Sequence, residues 1–337
     1  MKNIEKYVAT YFLKTREIIS KYNPDNIIKL QFFQRKDHAL LGGMNEILEL
    51  LEKYTNTSNY IIRYLEEGTL IKNNEIVLEL EGKYQDFGIL EGVIDGILSR
   101  STSIATNAYD CVQAAKGKPI IFMGDRMDHY LMQERDANAV RLAGVEIMST
   151  EAQTLAKSFV EPFGSYPHAL IQNFKGDIKK VTKAYYETFP NEQIISLIDY
   201  HNDVINDAKL SYEAIGDKLW GVRVDTSRGV KDHMFDNLEN DEKYYGVNIE
   251  QIKNLRKALD EMGATKTKIA VSSGFTAEKI AQFEKVNAPV DFYGVGQAIY
   301  KMECFFSADA TVLNDHNEAK EGRYYRENKK LKIYKSK

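Results

Sequence analysis

Residues 164–174 read GSYPHALIQNF, and His168 in that run is the first of a small set of side chains suited to chemistry. An imidazole titrates near neutrality and is a nucleophile when uncharged. His168 therefore has three available roles: a hydrogen-bonded structural post, a proton carrier, or the acceptor of a phosphoryl group. A second set lies in GVRVDTSRG, where Arg223 and Asp225 stand two residues apart on one side of an extended chain and Arg228 follows in the next loop. An arginine fork pairs with a carboxylate or a phosphate, and an aspartate holds ribose hydroxyls or a Mg²⁺ ion carried by phosphates. The plain alternative is an ion pair that closes the end of a strand. FMGDRMDHY offers Arg126 and His129 in the same kind of setting.

Two glycine-bearing turns complete the set. In AVSSGFTAEKI a short apolar run ends at Ser272, Ser273 and Gly274, and a helix follows with Thr276 as its cap and Glu278 in its first turn. In DFYGVGQAIY, Gly294 and Gly296 precede a short apolar helix in the same way. Backbone amides in such turns cradle phosphate groups. One turn of this kind is commonly structural. Two in succession at the end of an α/β pattern point to a phosphate-bearing substrate.

These residues need a scaffold that brings them to one mouth. From KGKP at residues 116–119 onward, short β-branched or aromatic runs alternate with charged helical stretches: PIIFM, GVEIMS, HALIQNF, IISLID, WGVRVD, KIAVSS and VDFYGVG. Between two of them NIEQIKNLRKALDEMG sets Ile249, Ile252, Leu255 and Leu259 on one helical face, with Gly263 as the stop. Strands alternating with helices predict parallel strands with crossover helices, and their number suits a closed or nearly closed barrel over an open sheet. In such folds ligands sit at the carboxyl ends of the strands. Asp199, Asp225, Ser272 to Gly274, and Gly294 to Gly296 all fall there.

Before residue 116 the texture is mixed. NIEKYVATYFLKTREIISKY and EILELLEKYTN have helical spacing, EIVLELEGKY reads as a strand, and Leu90 to Ala115 is long, rich in small residues and poor in breakers, which predicts a close-packed helix. The expected organisation is an N-terminal α+β domain over 1–115, an α/β barrel over 116–300 and a C-terminal segment over 301–337 with a Lys-rich solvated end.

Composition narrows the function classes. The formal charge of −4 over 337 residues, with Lys and Arg dispersed, gives no basic field for nucleic acid. Cys111 and Cys304 are far apart and have no ligand-spaced histidine, which argues against a disulfide framework or a structural zinc and fits a reducing cytoplasm. No apolar run is long enough for a membrane span or a signal peptide. A Walker A loop, HExxH, a Ser-His-Asp order and a convincing GxGxxG are all missing. An aldolase-type barrel wants a strand-end lysine for a Schiff base, and the strand ends supply none.

Taken in order, SRSTSIATNA, FMGDRMDH, GSYPHALIQNF, LIDY, GVRVDTSRG, AVSSGFTAEKI and DFYGVGQAIY make the chain resemble the nicotinate phosphoribosyltransferases, in particular their shorter archaeal-like branch. The resemblance runs from about Tyr11 to Tyr300. It implies the type II phosphoribosyltransferase fold: an irregular parallel α/β barrel with a second α+β domain built mainly from the N-terminal part and completed by the C-terminal segment. It also implies a homodimer whose active site is finished by the neighbouring subunit, and transfer of a phosphoribosyl group from Mg²⁺-bound 5-phosphoribosyl 1-pyrophosphate to nicotinate, assisted by ATP as co-substrate, in NAD salvage.

Carried over residue by residue, the resemblance implies that Arg126 and Arg223 surround the pyridine ring and its phosphoribosyl partner, and that Asp199 and Asp225 lie on the ribose and Mg²⁺ side. Ser273, Gly274, Gly294 and Gly296 match the 5′-phosphate cradle. Tyr11 matches the aromatic residue that stacks on the ring from the other subunit, and His168 matches the phosphohistidine. GVEIMSTEAQ, Met123 with Asp125, and Gln297 depart from the family pattern, which leaves nicotinamide or another ring open as substrate, and leaves open a silent relative that only binds a phosphoribosyl ligand.

Overall fold

The computed structural model describes residues 4–154 and 164–335. The chain forms two compact units, one made of residues 1–109, 138–143 and 301–337, the other of residues 110–137 and 144–300.

The first unit is an antiparallel sheet with helices. Helix α1 (Thr10–Tyr22) precedes β1 (Ile27–Gln34); α2 (Met44–Tyr54), β2 (Ile61–Tyr64) and β3 (Leu78–Lys83) follow, and then α3 (Glu91–Ala114), whose last turn belongs to the second unit. In the sheet, β1 lies between β3 and the strand Phe306–Leu313, while β2 pairs with β3 and with the short strand Lys332–Ile333. The C-terminal segment thus supplies strands to both sides of a sheet begun by residues 27–34. Alternate β1 and β3 side chains, Leu30, Phe32, Leu78 and Leu80, enter the apolar core with Ile47, Leu51, Ile94 and Leu98 from α2 and α3.

The small residues of α3 have a specific use. Thr106 and Thr102 accept hydrogen bonds from the Leu40 and Gly42 amides (2.9 and 3.1 Å), and Ser103 and Ser99 accept from those of Cys304 and Phe306 (both 2.9 Å). Backbone that turns away from a sheet ladder in the interior is thereby satisfied by hydroxyls instead of water. A side chain at Gly42 would meet the Ser101 carbonyl oxygen at 2.8 Å, which is why the approach requires glycine there.

Among its described residues the second unit holds six parallel strands: β4 (Ile120–Phe122), β5 (Ile147–Met148), β6 (Ile194–Leu197), β7 (Leu219–Val224), β8 (Lys268–Val271) and β9 (Phe292–Val295), with helix α4 (Gln133–Leu142) between β4 and β5 in the chain. Their spatial order is β5-β4-β9-β8-β7-β6, all pairs parallel. This is chain order followed round a ring, with the last strand beside the first and, among the described residues, one break, between β5 and β6. The expected barrel is therefore present, open along one seam.

The break coincides with a correction. HALIQNF, expected as a strand, is instead the helix α5 (His168–Asn173). Pro167 enters it in an extended conformation, and the left-handed residues Lys175 and Gly176 (φ 57° and 82°) end it. Ala, Leu and Gln favour helix, and Ile171 is the one β-branched residue of the run and the one buried. Helices α6 (Ile178–Thr188), α7 (Val204–Ile215), α8 (Ile249–Glu261) and α9 (Ala277–Lys285) are the crossovers, started by Asp177, Asp203, Asn248 and Thr276, whose side chains accept from backbone amides. Ile252, Leu255 and Leu259 are buried as the periodicity predicts, Ile249 is half-buried, and Gly263 (φ 91°) stops the chain beyond α8. No helix among the described residues is long and apolar enough to cross a membrane.

Candidate functional site

The carboxyl ends of β6, β7 and β8 carry one connected set of side chains. Backbone bonding extends one step past the strands: the Ile198 amide donates to the Arg223 carbonyl (3.1 Å) and the Ser272 amide to the Val224 carbonyl (2.9 Å). That ladder fixes the positions of the next residues, Asp199, Asp225 and Ser272. The Arg223 guanidinium donates to Asp225 Oδ2 at 3.2 Å and the Ser272 hydroxyl donates to Asp225 Oδ1 at 2.5 Å, so both carboxylate oxygens are held. Arg223 Nε is buried with no acceptor among the described residues. A buried guanidinium N–H without a partner is costly and marks a place for a further acceptor.

His168 joins this set from α5. Its Nε2 lies 3.0 Å from Asp199 Oδ1; the imidazole is 47% exposed and the carboxylate 7%. Burial pushes the Asp199 carboxyl up, as does the nearby Asp225 carboxylate, while His168 and Arg223 oppose the shift. Asp199 stands between the histidine and the Arg223–Asp225 pair and feels both.

The start of α5 is pinned by Tyr166. Its ring is buried and its hydroxyl sits 2.5 Å from Ser196 Oγ on β6 and 2.9 Å from Thr182 Oγ1 on α6; Ser196 in turn meets Ser211 on α7 at 2.7 Å. A buried hydroxyl network of this kind has few alternative arrangements, so it fixes the chain two residues before His168 relative to the strand that ends near Asp199.

After β8, Ser273 and Gly274 both take left-handed backbone angles (φ 68° and 73°) and turn the chain sharply into α9. Among the described residues the Ser273 to Thr276 amides have no acceptor. Arg228 Nη2 donates to the Gly274 carbonyl at 2.9 Å, and a Cβ on Gly274 would fall 2.1 Å from Arg228 Nε. Gly294 and Gly296 have a packing role: Cβ atoms there would meet Met123 Cε at 2.5 Å and the Met123 carbonyl oxygen at 2.7 Å, so the glycines admit the chain that follows β4. Arg126 is exposed in that same loop, and His129, its neighbour in sequence, caps the next turn by accepting from the Leu131 amide at 3.3 Å.

The structure therefore brings together His168, Asp199, Arg223 and Asp225, sets Ser273 and Gly274 on the adjacent strand end, and leaves Arg126 apart on a loop. Tyr11, on α1 in the first unit, is 63% exposed. Sequence reasoning placed Ser272 at the strand end and missed its contact with Asp225, and it missed Tyr166 and Lys279 altogether. Ser272 was findable: in a strand continued by one residue, Ser272 and not Ser273 shares the inward face with Ala270. At the opposite, amino ends, a groove of about 610 Å³ is lined by charges that pair with one another, Arg256 with Asp260 (2.8 Å) and Lys268 with Asp291 (3.0 Å). That groove offers no comparable set.

The profile of the quinolinate phosphoribosyl transferase N-terminal domain matches residues 10–102. The chain is 28% identical over 241 residues to the nicotinate phosphoribosyltransferase pncB1 of Mycobacterium tuberculosis, a match covering 69% of this chain and 48% of that protein. The chain thus spans about half the length of the curated relatives it matches. Among solved structures it is similar to a nicotinate-nucleotide pyrophosphorylase from Pyrococcus furiosus, with a TM-score of 0.82 and 27% identity over 98% of this chain and 82% of that one. It shares its fold with human nicotinic acid phosphoribosyltransferase, with a TM-score of 0.72 and 14% identity over 92% and 75% of the two chains. The likeness seen in the motifs is thus found independently, and the fold is that of the type II phosphoribosyltransferases of NAD biosynthesis.

Proposed function

We propose that this protein transfers the phosphoribosyl group of 5-phosphoribosyl 1-pyrophosphate to nicotinate in NAD salvage, with ATP hydrolysis coupled through His168. The observation that carries the reading is the pair His168–Asp199 placed near the bonded group Arg223–Asp225–Ser272 at the carboxyl ends of three adjacent strands.

In this reaction the pyridine nitrogen attacks C1 of the ribose with its lone pair, the C1–O bond to pyrophosphate breaks, and the product is a pyridinium nucleotide. No proton leaves the ring, so the site needs no strong base. It needs orientation and negative charge beside a centre that becomes cationic. Asp225, held at both oxygens, is fixed to serve that centre or the ribose hydroxyls, and Asp199 adds a second carboxylate nearby. The unpartnered Arg223 Nε supplies a donor for an incoming oxygen. No cluster of three metal-ligating side chains occurs among the described residues. On this reading Mg²⁺ is carried in with the phosphoribosyl pyrophosphate, and Asp225 is the carboxylate that would hold it. Arg126 is the residue assigned to the nicotinate carboxylate.

The His168 geometry supports Nδ1 as the nitrogen that reacts. With Nε2–H donating to Asp199, the neutral ring carries its lone pair on Nδ1. Nδ1 attacks the γ-phosphorus of ATP, ADP departs, and water later cleaves the N–P bond. The Asp199 carboxylate stabilises the positive charge that the ring gains during attack.

The second copy in a homodimer completes the site on this reading. Tyr11, Ile18 and Tyr22 are exposed at spacings of one helical face on α1, which suits an apolar contact surface bearing the stacking tyrosine.

The deciding assay supplies nicotinate, phosphoribosyl pyrophosphate and Mg²⁺ with and without ATP and follows nicotinate mononucleotide and pyrophosphate. Wild type forms both products faster with ATP; His168→Ala forms them slowly and at the same rate with or without it. Absence of product from wild type with nicotinate defeats the assignment, and ATP stimulation that survives in His168→Ala defeats the role of the histidine.

A further inference from the structure

Lys279 is the side chain in this unit that the mechanism above leaves unused and that the fold treats least kindly. It lies in the first turn of α9, half-buried, its amide donating to the Thr276 cap at 3.2 Å. Its ammonium stands 4.5 Å from the centroid of the buried Phe275 ring, and Phe275 is wedged against Phe283 and Tyr293. No carboxylate among the described residues pairs with it. Lys118, also half-buried in this unit, meets Glu284 at 2.7 Å. The charge that acts on Lys279 is the Arg228 guanidinium, of like sign, and burial first and Arg228 second push the lysine down to about 8.

Arg228 is itself placed by the turn. It hydrogen-bonds the Gly274 carbonyl, and Gly274 lacks a side chain where the guanidinium lies. Two cations therefore flank the Ser273–Gly274 turn, on a stretch whose backbone amides have no acceptor. A half-buried lysine facing a like charge raises the energy of the free protein, and a dianion placed between the two reverses the sign of both interactions.

We propose that Lys279 and Arg228 form a two-cation clamp for the phosphate monoester of the phosphoribosyl substrate, with Lys279 the residue that distinguishes a phosphorylated from an unphosphorylated ribose. The inference rests on the phosphoribosyl reading of the site and adds a recognition residue to it. Arginine reads the phosphate through a fork anchored on Gly274, and lysine adds a point charge from the helix side.

The test compares full-length wild type, Lys279→Met and Lys279→Arg, using ribose 5-phosphate and ribose as calorimetric probes and steady-state kinetics with phosphoribosyl pyrophosphate and nicotinate. In Lys279→Met the Kd for ribose 5-phosphate and the KM for phosphoribosyl pyrophosphate rise together by about tenfold or more, as expected for a lost charge-assisted contact. The KM for nicotinate and kcat stay within about twofold. Lys279→Arg recovers most of the affinity. In the absence of ligand, Lys279→Met melts close to wild type, because relief of the Arg228 repulsion and of the buried charge offsets the lost cation–π contact with Phe275; a lysine with a purely structural role would give a clearly lower melting temperature and unchanged Kd. Wild-type affinity for ribose 5-phosphate in Lys279→Met, or failure of wild type to prefer it over ribose, overturns the clamp. If wild type binds ribose 5-phosphate through Lys279 but transfers nothing to nicotinate, the clamp stands and the assigned reaction fails.

Discussion

Asp199→Asn separates what the carboxylate does for chemistry from what it costs the fold. The side chain is nearly buried, yet it bonds His168 at 3.0 Å and neighbours Asp225. A hydrogen bond to a charged acceptor contributes about 1.5–3 kcal/mol and one to a neutral amide about 0.5–1.5 kcal/mol, a difference of roughly 1–1.5 kcal/mol. At about 1.4 kcal/mol per factor of ten, labelling of the protein by γ-labelled ATP, quenched at neutral or alkaline pH to preserve the N–P bond, slows about five- to thirteenfold in the Asn variant. Stability moves the other way. The folded-state value of Asp199 lies above the ordinary carboxylate range, so in the window between the two the folded chain holds a proton that the unfolded chain releases. Wild type therefore loses stability relative to Asp199→Asn as pH rises through that window, and the gap is constant above it. Melting curves from pH 4 to 8 show the variant gaining on wild type over the acid part of the range. A labelling rate equal to wild type would refute the claim that this carboxylate sets the reactive tautomer. A melting temperature that falls further below wild type as pH rises would refute the claim that its burial is a net cost.

Gly274→Ala tests the turn after β8: a left-handed φ of 73° adds about 1–2 kcal/mol of strain, and the new Cβ displaces Arg228 from a 2.1 Å approach. Thermal melting of the variant drops accordingly, and the KM for phosphoribosyl pyrophosphate rises while that for nicotinate does not; an unchanged KM would show that Arg228 does not need its present seat. For the second copy, mixing Tyr11→Ala with ATP-unresponsive His168→Ala subunits regenerates up to about a quarter of the ATP-stimulated sites if the tyrosine acts across a dimer, by the closed two-fold symmetry such interfaces have; no recovery of ATP stimulation from a demonstrated mixed dimer would place Tyr11 outside the neighbour's site.

The barrel was legible because its signals are local. Each of β4 to β9 is a short β-branched run with a turn behind it, and the polar residues at the strand ends announced a shared mouth. HALIQNF misled because a short apolar run has no period of its own, and its helical form is decided by Pro167 and by the Lys175–Gly176 stop. Residue type and position put Asp199 and Asp225 forward as candidates, and the structure sets both just past carboxyl strand ends, where Asp225 also makes the expected ion pair with Arg223. Lys279 is hidden for the opposite reason: a lysine in a helix normally faces solvent, and its setting arises from Phe275, four residues before it, and from Arg228, which reaches it only in three dimensions. Gly294 and Gly296 were read as cradle residues, while their close neighbours are Met123 and Met127. A glycine reports that something approaches, and the sequence does not say what.

The seam between β5 and β6 has a consequence for how such an enzyme changes over time. The groups proposed to grip ribose and phosphate sit on strands inside the ring, where a shift of one residue would disturb neighbours on both sides. His168 is carried instead by a helix in an interval where the described residues add no strand to the ring, fastened through Tyr166 to a trio of hydroxyls. If the proposed coupling to nucleotide hydrolysis holds, it rests on a segment outside the strand ends proposed to grip sugar and phosphate, and changes in residues 164–176 would tune or abolish it while leaving that grip intact.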